Sequence, residues 1–225
     1  MRVSEVGPNL VSRRLREPVS GLTHGAGAVL ALAGLVWLLQ LGNERTGWHT
    51  VSFAVFGATM VLLYTSSTLY HLLPLSDRGV QRLRRLDHSM IYVFIAGCYT
   101  PICLVPLRAG WGWAVLGTIW GLACLGVALK LLWLEASRWV RIALYLAMGW
   151  LSVALLPTLW QLLPGTGFAW LAAGGLAYTV GSVVYALERP NPFPSVLGFH
   201  EIWHVFVMAG TFCHFWLMRD CILYL

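Results

Sequence analysis

Charge is scarce in this chain. Of its 225 residues 58% are hydrophobic and only 11% charged. A soluble domain needs about a quarter of its residues charged to cover its surface. The composition excludes an ordinary soluble globule and implies a membrane protein with little mass outside the bilayer. Cysteine pairing is also lacking. Cys98, Cys103, Cys124, Cys213 and Cys221 form no Cys-x-x-Cys pair and mostly lie in apolar runs, which excludes a zinc ribbon or a disulfide scaffold and leaves small buried hydrophobes. There is no low-complexity segment and no convincing repeat. A cleavable leader is not expected either: the first apolar run, about residues 22–41, is too long for a signal-peptide core and no cleavage site follows it, so it reads as a retained span. Nor is there an array of polar residues along several spans, or a soluble-to-membrane switch region, as a conducting pore would need.

What is present is apolar sequence in helix-length blocks. About 20 apolar residues cross the hydrocarbon core as a helix. Seven such spans are expected, at about 22–41, 51–73, 87–107, 112–133, 141–163, 168–187 and 200–218, behind a short N-terminal arm over 1–20. The fold class is therefore all-α, a seven-transmembrane helix bundle forming one membrane domain over 21–225. Turn-forming or charged residues separate the spans at Gly42-Asn43-Glu44-Arg45, Pro74-Leu75-Ser76-Asp77, Arg108-Ala109-Gly110, Glu135-Ala136-Ser137-Arg138 and Pro164-Gly165-Thr166-Gly167, and three prolines over 190–194 stop the sixth. Trp48, Trp111, Trp113, Trp139 and Trp170 fall near span ends, as an interfacial aromatic belt does.

The formal charge of +6 does not indicate nucleic acid. The basic residues flank apolar segments, which is the pattern of topology signals and anionic-lipid contacts. Twelve of the 15 fall on the N-terminal side: four in the arm, Arg78, Arg82, Arg84 and Arg85, Lys130, Arg138 and Arg141, and Arg189. Arg45, Arg108 and Arg219 fall on the other. The excess predicts a cytoplasmic N-terminus and, with seven spans, a C-terminus outside. The expected location is a multi-pass integral protein of a bacterial inner membrane.

That direction brings three histidines to one face. His71 closes the second span, and His200 and His204 lie in the first turns of the seventh. With about 1.5 Å rise per residue, all three sit within a turn or two of the same interface. His200 and His204 are four apart and project from one helix face; Ser67 shares the face of His71 in the same way. Costly groups in an apolar span suggest a site, and three imidazoles are the protein ligand set of a catalytic zinc that keeps its fourth position for water. Asp87 opens the third span at the same depth. It reads either as an N-cap or first-turn acid, or as a carboxylate that takes a proton from water at the metal, and both roles can coexist. His24, at the start of the first span, is a candidate for supporting the site or for packing. His88 lies roughly 100° around the helix from Asp87, so the two are not expected to aim at one point. His49 and His214 belong to the outer side.

These residues resemble the hemolysin III family, the bacterial relatives of the progestin and adipoQ receptors, in a superfamily that includes alkaline ceramidases. The resemblance covers nearly the whole chain. It rests on Glu17-Pro18-Val19-Ser20-Gly21-Leu22-Thr23-His24, Ser67-x-x-x-His71, Asp87, Pro190-Asn191-Pro192 and Gly198-Phe199-His200-Glu201-Ile202-Trp203-His204. It implies Zn2+ on His71, His200 and His204, with Asp87 contacting the metal through water and Ser67 nearby. One departure is Glu17-Pro18, where many bacterial relatives are expected to carry a second acid or a non-proline.

The expected function is that of a zinc-dependent hydrolase of an amide or ester bond in a membrane lipid, ceramidase-like, serving membrane homeostasis. Asp87 is its general base and Ser67 a hydrogen-bond donor to the oxyanion or to a ligand histidine. Alternatives are a receptor or regulator with a structural zinc, a hemolysin-like pore, and an intramembrane metalloprotease. The last uses Glu201 of His200-Glu201-x-x-His204, which matches the zinc-protease pattern, as base. Otherwise Glu201 faces headgroups or pairs with an arginine. The expected partners are a lipid substrate or ligand and anionic lipids at the cytoplasmic face.

Overall fold

Bilayer-spanning backbone must satisfy its own hydrogen bonds, and helices do so within one segment. A computed structural model describes residues 15–132, 137–193 and 196–225. It contains α1 (Pro18–Asn43), α2 (Gly47–Leu72), α3 (Asp77–Leu104), α4 (Gly112–Leu132), α5 (Arg138–Trp150), α6 (Leu156–Leu162), α7 (Gly165–Leu187) and α8 (Phe199–Asp220). A 3₁₀ segment, Leu151–Leu155, joins α5 to α6, so the two form one broken span and the bundle has seven. There is no β-strand among the described residues. The expected arginines Arg2, Arg13 and Arg14, the loop residues Glu135 and Ala136, and Pro194 lie outside the described residues.

Consecutive helices pack on one another, and α8 returns to α1, closing a ring. The inward face of α1 follows helical spacing: Ser20, His24, Gly27, Ala31, Gly34 and Leu38 are all buried. Small residues on that face let neighbours approach closely. A Cβ on Gly27 would stand 2.9 Å from the Tyr64 ring, and one on Gly97 of α3 would collide with the Thr59 hydroxyl of α2. Large apolar side chains turn outward instead, with Val29 70% and Leu30 67% exposed. Polar inside and apolar outside is the arrangement a lipid solvent requires.

Six of the spans are long and apolar enough to cross a membrane. The exception is α3, and here the structure corrects the sequence reading. The helix starts at Asp77, with Ser76 at its N-cap, and not at Asp87. Arg78, Arg82, Arg84 and Arg85 therefore lie on a helix that begins outside the apolar zone. Asp87 stands well inside α3, which removes its reading as an N-cap or first-turn acid. Charge hid these helical turns, because a span is recognised by its apolar run and not by where its hydrogen bonds begin. The span expected at 141–163 is present at Trp139–Leu162 and is built of three pieces. Pro157 lacks the N–H that would bond the carbonyl four residues back, so the turn before it tightens to 3₁₀.

Candidate metal centre

Three local devices build the site. The residues before α1 are fastened to the end of α2: the Glu17 N–H donates to the His71 carbonyl at 3.0 Å, and the Arg16 guanidinium donates to the Tyr70 carbonyl at 3.0 Å while lying 4.9 Å over the Tyr70 ring. The start of α8 is fixed by Asn191, whose amide donates to the Glu188 carbonyl at 2.8 Å and whose oxygen accepts from the Phe199 N–H at 2.9 Å. Glu201 completes the cap. Its carboxylate accepts from the Gly198 N–H at 2.8 Å and from the Ser20 hydroxyl at 2.6 Å. The first turn of α8, which carries His200, is thereby held against α1 and the chain leading from α7.

His71, His200 and His204 converge, each offering one ring nitrogen within 4.8 Å of the others. The Nε2 atoms of His71 and His200 are 3.3 Å apart. Two imidazole nitrogens on a tetrahedral zinc, at Zn–N of about 2.0–2.1 Å, stand roughly 3.3 Å from each other. His71 is 1% and His204 3% exposed, so the pair is sheltered from solvent. His204 Nδ1 is buried with no hydrogen-bond partner among the described residues. The donor set fits the zinc that the sequence led us to expect.

Glu17 was not foreseen as part of this site. Its Oε2 takes a hydrogen bond from His71 Nδ1, which fixes the tautomer and leaves Nε2 bare toward His200. That hydrogen bond from His71, helped by Arg16 at 2.9 Å, holds the Glu17 carboxyl down to about 2, against partial burial, so it stays ionised across the physiological range. The available signal was the acid directly before Pro18. Its partner is 54 residues away, and no spacing rule reaches that far.

His24 is close to the three clustered histidines. Its ring stacks on His204 at 3.6 Å between centroids and 10° between planes, and its Nδ1 is 2.8 Å from the Ser67 hydroxyl. Ser67 thus engages His24 and none of the three clustered histidines. Asp87 lies within electrostatic reach of His71 and Ser67. His88 adjoins Asp87, its Nδ1 3.4 Å from Asp87 Oδ2, and turns back along α3 to donate to the Arg84 carbonyl at 2.7 Å. Glu201, committed to Ser20 and Gly198, acts as a capping acid. His49 is in the first turn of α2, bonded to Thr46 at 2.9 Å and remote from the site.

Two cavities meet at this point. A polar vestibule of about 420 Å³ is lined by Glu17, His71, Arg84, Lys130 and Glu201 among others. A mostly apolar cavity of about 400 Å³ runs between α3, α5, α6, α7 and α8, and His24, Ser67, Asp87 and His204 line it at the histidine cluster. His214 borders its apolar part. His88, Arg141, Tyr185 and His200 line both cavities.

The chain matches the family described as Haemolysin-III related over residues 12–215. It is 37% identical to the Hemolysin-3 homolog of Bacillus subtilis (strain 168) over 209 residues, covering 92% of this chain and 93% of that protein. It is also 37% identical to Hemolysin-3 of Bacillus cereus over 210 residues, covering 92% and 90%. The Monocyte to macrophage differentiation factor of Homo sapiens is 29% identical over 202 residues, covering 86% and 79%. A seven-helix membrane bundle with this span of similarity is a member of the hemolysin III family.

Proposed function

We propose that this chain is a zinc-dependent hydrolase of an amide or ester bond in a membrane lipid, with its N-terminus and site at the cytoplasmic face of a bacterial inner membrane. The observation that carries the reading is the junction itself. Three imidazole nitrogens stand where a polar vestibule meets an apolar cavity, with a carboxylate and a hydroxyl in the same wall. An amphiphile bound across that junction presents its polar linkage to the histidines and its chain to the apolar lining.

In this reading His71, His200 and His204 hold the metal. When bound, zinc supplies Lewis-acid polarisation of a carbonyl and acidifies water to near neutral pH. Asp87 accepts the proton released as water attacks the substrate carbonyl, and returns it to the leaving group. Ser67 and His24, joined by their hydrogen bond, form the wall behind Asp87 and His204. The apolar cavity excludes bulk water, which strengthens each of these interactions. Glu201 is bound by Ser20 and Gly198, so the arrangement favours Asp87 as base over the protease-like alternative.

The test is hydrolysis of an amide lipid by wild type and Asp87→Asn, with metal content measured on the same samples. Loss of about 10²–10⁴-fold in turnover with zinc retained is expected for a general base. Equal turnover in the two proteins removes Asp87 from the mechanism. No turnover in zinc-loaded wild type on any amide or ester lipid favours a non-catalytic receptor with a structural metal.

A further inference from the structure

A polar patch in the apolar cavity lies far from the histidine cluster, and the proposed hydrolysis does not use it. His214 of α8 and Tyr178 of α7 both line the cavity there. His214 is ten residues beyond His204, about 15 Å along the helix. Two glycines seat the pair reciprocally. A Cβ on Gly174 of α7 would stand 2.5 Å from His214 Nδ1, and one on Gly210 of α8 would stand 2.5 Å from the Tyr178 ring. Each ring occupies space that the facing helix leaves open, and the ring centres lie 5.5 Å apart.

Both side chains have an acceptor to offer and no donor left. His214 Nδ1 donates to the Gly210 carbonyl at 3.0 Å, so Nδ1 carries the hydrogen. A ring without charge, as an apolar span favours, then has Nε2 as a bare acceptor. Nε2 makes no hydrogen bond among the described residues and, unlike Nε2 of His24 and His49, it is not sealed from open space. Tyr178 is bonded to Thr211 at 3.1 Å, and the Thr211 hydroxyl gives its own hydrogen to the Val207 carbonyl at 2.9 Å. The Tyr178 hydroxyl therefore donates to Thr211, and its lone pairs stay open. His214 is only 8% exposed, and an acceptor buried to that degree is costly until a donor reaches it.

We infer that His214 and Tyr178 form a subsite for a hydroxyl carried on the ligand's apolar chain. The inference rests on the reading of the apolar cavity as the place of a substrate chain, and it narrows the substrate class to amphiphiles hydroxylated far from the hydrolysed bond. The hydroxyl donates to His214 Nε2 or to the Tyr178 oxygen. A chain with an ether or a carbonyl at that depth brings only a further acceptor, and an unsubstituted chain leaves both acceptors unpaired.

The experiment uses the full-length protein in a neutral detergent, titrated with N-lauroylethanolamine, its ω-hydroxylauroyl counterpart and its ω-methoxylauroyl counterpart. An extended lauroyl chain spans roughly the distance from His204 to His214. The methoxy probe keeps the oxygen and lacks the donor. Wild type is expected to bind the hydroxy probe about fivefold or more tightly than the methoxy probe, the worth of one hydrogen bond. His214→Phe and Tyr178→Phe remove the acceptors and keep an aromatic ring against each glycine. With both substitutions together the ratio should fall to about twofold or less, and the single variants show which acceptor takes the bond. The ratio is read within one protein, so a general loss of folded material does not imitate it.

Equal affinity of wild type for the hydroxy and methoxy probes, or a ratio unchanged in the double variant, overturns the inference. Binding of none of the three removes the cavity as a chain site, and the subsite with it. Amide turnover on the same preparations after zinc loading reads the hydrolase proposal separately. Binding preference without turnover keeps the subsite and counts against the hydrolase, and turnover without preference does the reverse.

Discussion

The chemistry open to the histidine cluster is set by which nitrogen each histidine presents. His71 shows how the choice is made: Glu17 holds its Nδ1, so Nε2 is directed to the cluster. Partners that orient a ligand histidine are typically worth about 10–100-fold in metal affinity. Glu17→Gln is therefore expected to weaken zinc by about that factor in a chelator competition, with the helical content unchanged; unaltered affinity would separate Glu17 from the centre. At this scale the sequence was partly legible. The i, i+4 pair His200 and His204 and the end-of-span position of His71 were readable because topology alone brings them to one face. Glu17 and the stacking of His24 on His204 were not, since each depends on a contact between segments far apart in sequence.

Helices meet here through small residues and break at proline. Apolar periodicity showed where seven spans lie, and it left a feature of two of them unread for opposite reasons. α3 begins ten residues before its apolar part because arginines on its first turns are compatible with helix but not with hydrocarbon. The fifth span is interrupted because Pro157 removes a backbone donor inside an otherwise unbroken apolar run. The α2–α3 contact is close where Gly97 faces Thr59, within two turns of the apolar cavity walls contributed by Ile91 and Phe94. Gly97→Val is expected to destabilise the bundle by about 1–3 kcal/mol, the usual cost of overpacking. This is read as a lower midpoint in thermal unfolding in detergent. A midpoint equal to that of wild type would show that α2 and α3 do not approach as closely as described.

The whole molecule is a ring of helices whose polar groups gather near one end. α1, α3, α5 and α8 begin at that end, and α2, α4 and α7 finish there, so the site is assembled from helix ends and not from one motif. The proposed orientation, drawn from the distribution of basic residues, puts that end in the cytoplasm. Reporter fusions after residue 225 should therefore be active only with an enzyme that works outside the cytoplasm, and fusions in the loop between α2 and α3 only with one that works inside. The reverse pattern would put the metal centre on the outer face and would detach it from the cytoplasmic anionic lipids proposed as partners. Such an outcome would leave the geometry of the cluster intact, since His71, His200 and His204 converge whichever way the bundle faces.

The central claim is that these three histidines hold zinc, and elemental analysis of detergent-purified protein tests it most directly. After metal-replete growth, wild type should carry about one zinc per chain, as a single tetrahedral centre requires, while His71→Ala and His204→Ala each lose nearly all of it. Wild type without zinc, or both variants retaining it in full, would contradict the account.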